Sequence, residues 1–286
     1  MAITGRWRTD LASEAQRLAQ NGRRDLSPLP GVETAEEERA GCSLFRVRIT
    51  DERGARALGK PVGRYCTLEA GRFLPRGDPG FPALAETLAG AIRELLPPGG
   101  GPYLVAGLGN AAVTPDALGP LAARSVLATR HLKRGGDPLF APLSEVAVCA
   151  PGVLGSSGLE AALQLGVLCR ELRPACLLAV DALAGAEPQR LCRTVQITDS
   201  GIAPGSGVGN DRAPLSRETL GLPVIALGVP TVIDAGCLGD ESMRGMFVTP
   251  KEIDEAVSRA ARLIGYAIDL ALHPRLSFDE LAGLLD

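Results

Sequence analysis

The chain has 286 residues, 45% apolar and 22% charged, with 30 Lys and Arg against 33 Asp and Glu for a formal net charge of −3. With no basic block larger than Arg23-Arg24 or Lys133-Arg134, it lacks the charged face a nucleic-acid binder needs, and no apolar run approaches the ~18 residues of a membrane-spanning helix. Aromatic residues are only 3%, so a core must be built from Ala, Val, Leu and Ile, which suits helices packed on a parallel sheet.

Met1 to Arg6 carry no apolar signal core. Residues 9–20 read as an amphipathic helix capped by Asp10, with Leu11, Ala15, Leu18 and Ala19 on one face and Gly22 at its end. Residues 22–41, rich in Pro, Gly and Glu, read as a connector. Strands are expected over 43–50 and 64–69, then a helix over 82–96 stopped by Pro97-Pro98-Gly99. Tyr103 to Ala106 form a short buried run that ends in Gly107-Leu108-Gly109-Asn110.

Thr114 then suits an N-cap and Pro115 the first helical position, which puts Asp116 in the first turn. Val146 to Val148 are a second buried run. Ser157 opens a helix carrying Leu159, Leu163 and Val167, with Glu160 as its capping-box partner. Ala175 to Val180 form a third strand ending on Asp181. Leu191 to Thr198 alternate like an edge or antiparallel strand, and Val224 to Leu227 are another buried run. The last helix begins at Thr249-Pro250 with Glu252 in capping-box position and an apolar face of Ile253, Val257, Ala260, Ile264 and Ile268. Short buried strands alternating with helices imply an α/β fold, a mostly parallel sheet with helices on both faces, plus a small N-terminal strand-containing region.

Several constellations could carry chemistry. Gly107 to Ala112 has the form Gly-x-Gly-x-x-Ala, a weak dinucleotide fingerprint here, because the next strand ends at Cys149-Ala150 without the acid that fold requires. Asp116 suits either the helix dipole or a site at the carboxyl end of the sheet. Asp181, directly after an apolar strand, suits either an N-cap or a crevice. Two such acids at neighbouring strand ends would not ionise together easily, and one would keep a proton, as general acid–base hydrolysis needs. The loop Ile202 to Asn210 suits either a flexible connection or a cradle of backbone amides for an extended peptide or an anion. Asp199 and Asp234 follow strands without a partner motif. His131 and His273, the only histidines, read as helix C-terminal cations. The seven cysteines show no Cys-x-x-Cys spacing and read as small buried hydrophobes in a reducing cytoplasm, and no His/Cys spacing fits zinc.

Taken together, Gly107-Leu108-Gly109-Asn110, Thr114-Pro115-Asp116-Ala117-Leu118-Gly119-Pro120, Val126 to His131, Pro151-Gly152-Val153, Val180-Asp181-Ala182-Leu183-Ala184, Gln196 to Gly201, Pro204 to Asn210 and Gly228 to Ala235 resemble the germination protease (spore protease) family over nearly the whole chain. That resemblance implies an atypical aspartic endopeptidase that degrades small acid-soluble spore proteins in the spore core, made as a zymogen and assembled as a homotetramer, without a cofactor. It implies Asp116 and Asp181 as the catalytic pair, and a fold similar to hydrogenase-maturation peptidases. Gly109 and Asn110 in the strand-to-helix turn, with Gly205, Ser206, Gly207, Gly209 and Asn210 in the glycine-rich loop, are the expected substrate-binding residues.

The family's cleavage sites resemble Thr9-Asp10-Leu11-Ala12-Ser13-Glu14, so self-cleavage is expected between Asp10 and Leu11, with residues 1–10 as a propeptide and 11–286 as one peptidase domain. Three departures stand out: Ala111 and Ala112 where the family has Trp and Asn, Ala203 where it has His, and a very short segment between Ala235 and Met246. The alternatives are a metal-dependent maturation-type peptidase using the same acids as ligands, a non-catalytic sporulation protein of the same fold, and a nucleotide binder.

Overall fold

Why a sheet forms at the centre is plain from the apolar runs, which cannot face water on either side. The computed structural model describes residues 8–21, 27–209 and 212–285. In chain order these form α1 (Ala12–Asn21), β1 (Val32–Arg39), β2 (Cys42–Ile49), α2 (Glu52–Leu58), β3 (Gly63–Glu69), α3 (Phe81–Arg93), β4 (Tyr103–Gly107), α4 (Leu118–Arg124), α5 (Arg130–Arg134) and β5 (Val146–Cys149). There follow α6 (Leu154–Ser157), α7 (Ala161–Leu172), β6 (Cys176–Gly185), β7 (Thr194–Thr198), α8 (Arg217–Leu220), β8 (Val224–Asp234), β9 (Phe247–Val248), α9 (Ile253–Leu272) and α10 (Phe278–Leu285).

Among the described residues, nine strands make one sheet in the order β1-β2-β3-β7-β8-β6-β4-β5, with β9 on the far end of β8. The central strands β5, β4, β6 and β8 run parallel, and β7, β3, β2 and β1 continue the sheet antiparallel. The expected α/β class with a mostly parallel centre and an N-terminal strand region is therefore present. Helices cover both faces: Val105, Leu178 and Leu227 pack with Leu88, Ile264 and Ile268 on one side, and Leu104, Leu177 and Leu165 pack on the other. A third cluster joins Ala12 and Ala15 of α1 to Val47, Ile49 and Tyr65.

Several local expectations change. The stretch read as a connector contains β1, whose sequence Val-Glu-Thr-Ala-Glu-Glu-Glu-Arg is charged because it is the exposed edge. Its Glu33 stands opposite Arg48 in register, at 3.5 Å between charged atoms. The segment before α7 breaks at Gly158, so Leu159, Leu163 and Val167 face outward and α7 buries Leu165 and Cys169 instead. Glu160 precedes α7 without a side-chain cap bond, and Glu252 does likewise before α9. His273 is not a surface cation. It is fully buried, its Nδ1 accepts from the Ser144 N–H at 3.1 Å, and burial pulls its pKa down to about 4. All seven cysteines are free, four of them buried, and burial drives the Cys176 thiol up to about 12.

Candidate active site

β6 does not end at Asp181. It runs on to Gly185 because β8 also runs on to Asp234 and keeps pairing with it, through a register shift at Leu183/Ala184. The neighbour on its other side, β4, stops at Gly107 opposite Val180. Asp181 therefore lies one residue beyond the point where the sheet loses a strand, at the mouth of a crevice rather than at a strand tip. Strand alternation turns it to the α7 side, and it is 4% exposed. Its Oδ1 accepts the Ala182 N–H at 2.9 Å.

Asp116 arrives from the other wall of the crevice. The expected first helical turn is a separate 3-10 turn, Thr114–Asp116, and α4 starts two residues later. Asp116 does not cap α4. Its carboxylate folds back and accepts the Asn110 N–H at 2.7 Å. Gly109 makes this fold-back feasible: it sits at φ +111, and a Cβ there would lie 2.1 Å from the Asp116 carbonyl oxygen. Gly119 seats the start of α4 against the strands, since a Cβ there would lie 2.2 Å from the Leu108 carbonyl oxygen and 2.4 Å from that of Val180. Thr231 completes the placement by donating its hydroxyl to the Pro115 carbonyl at 2.7 Å.

Asp116 and Asp181 line one cavity of about 380 Å³, together with Asp10, Gly207 and Arg212. Burial raises the pKa of Asp181 well above the ordinary carboxylate value, and the neighbouring charges of Asp116 and Asp10 push it further. Burial also raises Asp116, while the Asn110 N–H and the Arg212 charge oppose the rise. Of the two carboxyls, Asp181 is the more deeply buried and is held further above the ordinary range. Among the described residues no group of three or more His, Cys, Asp and Glu is placed to hold a metal ion.

The N-terminal segment crosses this site. Asp10 does not cap α1. Its N–H donates to the Ala184 carbonyl at 2.9 Å, Oδ2 accepts the Ala184 N–H at 2.8 Å, and Oδ1 accepts the Ser206 hydroxyl at 3.0 Å. Four residues on, buried Glu14 accepts the N–H groups of Ala186 and Glu187 at 2.7 and 3.1 Å and the Thr9 hydroxyl. Leu11 and Ala12 between them are fully buried. Lys60 Nζ donates to the Thr9 carbonyl at 2.7 Å, and burial pulls this ammonium below its ordinary pKa.

The glycine-rich loop is closed by paired bonds between Ile202 and Leu215, at 2.9 and 2.7 Å. It is not an open amide cradle, because the N–H groups of Ser206, Val208 and Gly209 bond within the loop itself. What it offers Asp10 is the Ser206 hydroxyl and the bare face of Gly207, where a Cβ would lie 2.2 Å from Asp10 Oδ2. Gly205 lines the cavity, and Gly209 lies against Arg8. Asn210 lies outside the described residues. Gly109 lines the cavity, and Asn110 is engaged inside its own turn, with Oδ1 accepting the Ala112 N–H at 3.0 Å. Asp199 pairs with Arg64, and Asp234 ties down the short 235–246 segment by accepting from Gly236 and Gly245.

Lys60, Gln196, Arg212 and the Ala184 N–H stand at this site without having been singled out from the sequence. A signal for one of them existed: Thr194, Gln196 and Thr198 are three polar residues on one face of β7, all at most 5% exposed, opposite Val195 and Ile197.

A profile of the germination protease family matches residues 9–245. A germination protease of Caldanaerobacter subterraneus subsp. tengcongensis is 38% identical over 97% of this chain and 98% of its own. One of Clostridium perfringens is 33% identical over 98% of this chain and 99% of its own. Among solved structures, the nickel–iron hydrogenase maturation protease HycI of Thermococcus kodakarensis covers 62% of this chain and 98% of its own at 20% identity and a TM-score of 0.35.

Proposed function

The chain belongs to the germination protease family and is an endopeptidase, and from that premise we propose that Asp116 and Asp181 hydrolyse the peptide bonds of small acid-soluble spore proteins. The observation that carries this reading is the shared cavity: two carboxylates of unequal proton affinity face the same space, and a peptide segment of the chain itself already crosses it. Ionised Asp116 is the base that takes a proton from the attacking water. Protonated Asp181 donates to the carbonyl oxygen of the bond to be cut. This makes the enzyme aspartic in type.

The bond we assign for self-cleavage is Asp10–Leu11, which makes residues 1–10 a propeptide, the intact chain a zymogen and residues 11–286 the peptidase domain. Support comes from Asp10, held by Ser206 and Ala184, and from Glu14, held by two backbone amides, so that acids four residues apart are both recognised. Gly205, Ser206, Gly207 and Gly209 then form the substrate side of the site, and Gly109 and Asn110 serve it by holding Asp116. The outward Leu163 and Val167, with Leu159 just before the helix, give α7 an apolar face for assembly, which we read as the homotetramer of a forespore enzyme.

The test is to incubate the protein with a small acid-soluble spore protein and map the fragments by mass spectrometry. Cuts after an acidic residue, together with a matured N-terminus at Leu11, are expected. Intact substrate and a chain still starting at Met1 would overturn the reading.

A further inference from the structure

Gln196 is 5% exposed, and both ends of its carboxamide are occupied by the N-terminal segment. Nε2 donates to the Asp10 carbonyl oxygen at 2.9 Å, and Oε1 accepts the Ala12 N–H at 2.6 Å. This orientation is forced, since a carbonyl only accepts and a peptide N–H only donates, so the flipped amide would lose both bonds. The side chain therefore spans the Asp10–Leu11 bond, gripping the carbonyl on one side and the next-but-one N–H on the other.

Its place in the sheet brings it to the carboxylates. Gln196 on β7 and Asp181 on β6 are each in register with Gly228 of β8, so the three lie in one row and face the same side. Gly228 keeps the row low between them: a Cβ there would press on Leu183 Cγ at 2.5 Å and the Asp181 carbonyl oxygen at 2.8 Å. Asp10, Asp181, Gln196 and Gly228 line a second cavity of about 380 Å³. Lys60, in the same cavity, holds the preceding carbonyl, that of Thr9.

We propose that Gln196 is a catalytic residue whose Nε2–H polarises the scissile carbonyl and stabilises the oxyanion that forms there. The inference rests on the reading above, that the Asp pair cuts at Asp10–Leu11. Both side-chain hydrogen bonds of Gln196 are made to the segment that is cut and not to the scaffold. In the reaction the water oxygen adds to the Asp10 carbonyl carbon while one water proton passes to Asp116. The C=O π pair moves onto the oxygen, which is held by Gln196 Nε2–H and by the Asp181 proton, and Asp181 keeps that proton throughout. The tetrahedral centre then re-forms C=O and expels the Leu11 nitrogen, which takes the proton from Asp116. One water is consumed, leaving an acid and an amine.

The test uses full-length Gln196→Ala, Gln196→Met and Asp116→Asn chains, with the N-terminal segment removed in trans by tagged wild-type enzyme that is then withdrawn. Each is assayed for cleavage of a peptide containing Thr-Asp-Leu-Ala-Ser-Glu, with kcat and KM separated and melting recorded. Loss of an oxyanion donor predicts kcat down about 10²–10³-fold in both Gln196 variants, with KM changed less than about threefold. If either variant melts like wild type and keeps kcat within about threefold, or shows its loss in KM alone, the proposal is overturned. Gln196→Met, close in size to glutamine, carries the test if the alanine variant does not fold. An active Asp116→Asn would overturn the Asp-pair reading itself, and this inference with it; an inactive Asp116→Asn beside active Gln196 variants would overturn this inference alone.

Discussion

Ser206 donates its hydroxyl to the Asp10 carboxylate at 3.0 Å across 196 positions of sequence, and the Ala184 N–H closes on the other oxygen at 2.8 Å. These two bonds reach a charged acceptor, where each bond is worth about 1.5–3 kcal/mol. Asp10→Ala is therefore expected to slow self-cleavage by about 10–100-fold, and Ser206→Ala to slow it less. Intact-mass time courses measure both. Cleavage of Asp10→Ala at the wild-type rate would remove acid recognition from this pocket.

Gly207→Ala tests the same pocket by volume. Its methyl would meet Asp10 Oδ2 at 2.2 Å and Ala184 Cβ at 2.6 Å, so Asp10 must leave. Self-cleavage should fall by at least about tenfold, as one lost charged hydrogen bond implies. Because the loop closes on itself through Ile202 and Leu215, the melting temperature should change little.

Asp116→Asn and Asp181→Asn should each lower kcat by about 10²–10⁴-fold, the usual worth of a positioned proton-transfer group. Their stability should move the other way for Asp181. Its folded pKa is raised, so the folded state binds more protons than the unfolded one above pH 3.8, and stability falls as pH climbs toward the folded value. Asn removes that penalty. Calorimetry at neutral pH should show Asp181→Asn melting no lower than wild type, and a large drop would count against the buried-acid account.

The pH profile follows from the same pair. On the proposed mechanism, with Asp116 ionised and Asp181 protonated, the expected profile is a bell with both limbs above the ordinary Asp value of 3.8. The Arg212 charge lowers both pKa values. Arg212→Gln should therefore move both limbs to higher pH, as seen in kcat/KM against pH. Movement toward acid would show that Arg212 does not face the pair.

His273 sets a different acid response. Its folded pKa is lowered to about 4 from 6.5, so the neutral form stabilises the fold above pH 6.5, and that contribution is lost as pH falls toward 4. Between pH 7 and pH 5 the loss is about 2 kcal/mol by linkage. Urea unfolding of wild type over that interval should show it, and His273→Gln should show a shallower dependence.

Much of this protein was legible in its residues. Apolar runs at Tyr103, Val146, Cys176 and Val224 announce a parallel centre, because only strands covered on both faces can be apolar throughout. Asp116 and Asp181 were visible as acids beside such runs. The Thr9–Glu14 segment drew notice through its likeness to a cleavage site, and the structure lays it across the cavity of the two acids. The edge strand β1 was hidden because an exposed edge carries no apolar alternation. The outward face of α7 is not legible in the sequence, because the break at Gly158 shifts the helical phase. Only the tertiary structure could bring the candidate site together. Strand order sets Gln196 beside Gly228 and Asp181, although 15 positions separate Gln196 from Asp181 along the chain, and sheet register is a long-range property that local sequence does not encode. Packing then sets the two carboxyls apart, because desolvation at the end of β4 and the approach of the 3-10 turn on Gly109 give two identical side chains unequal environments.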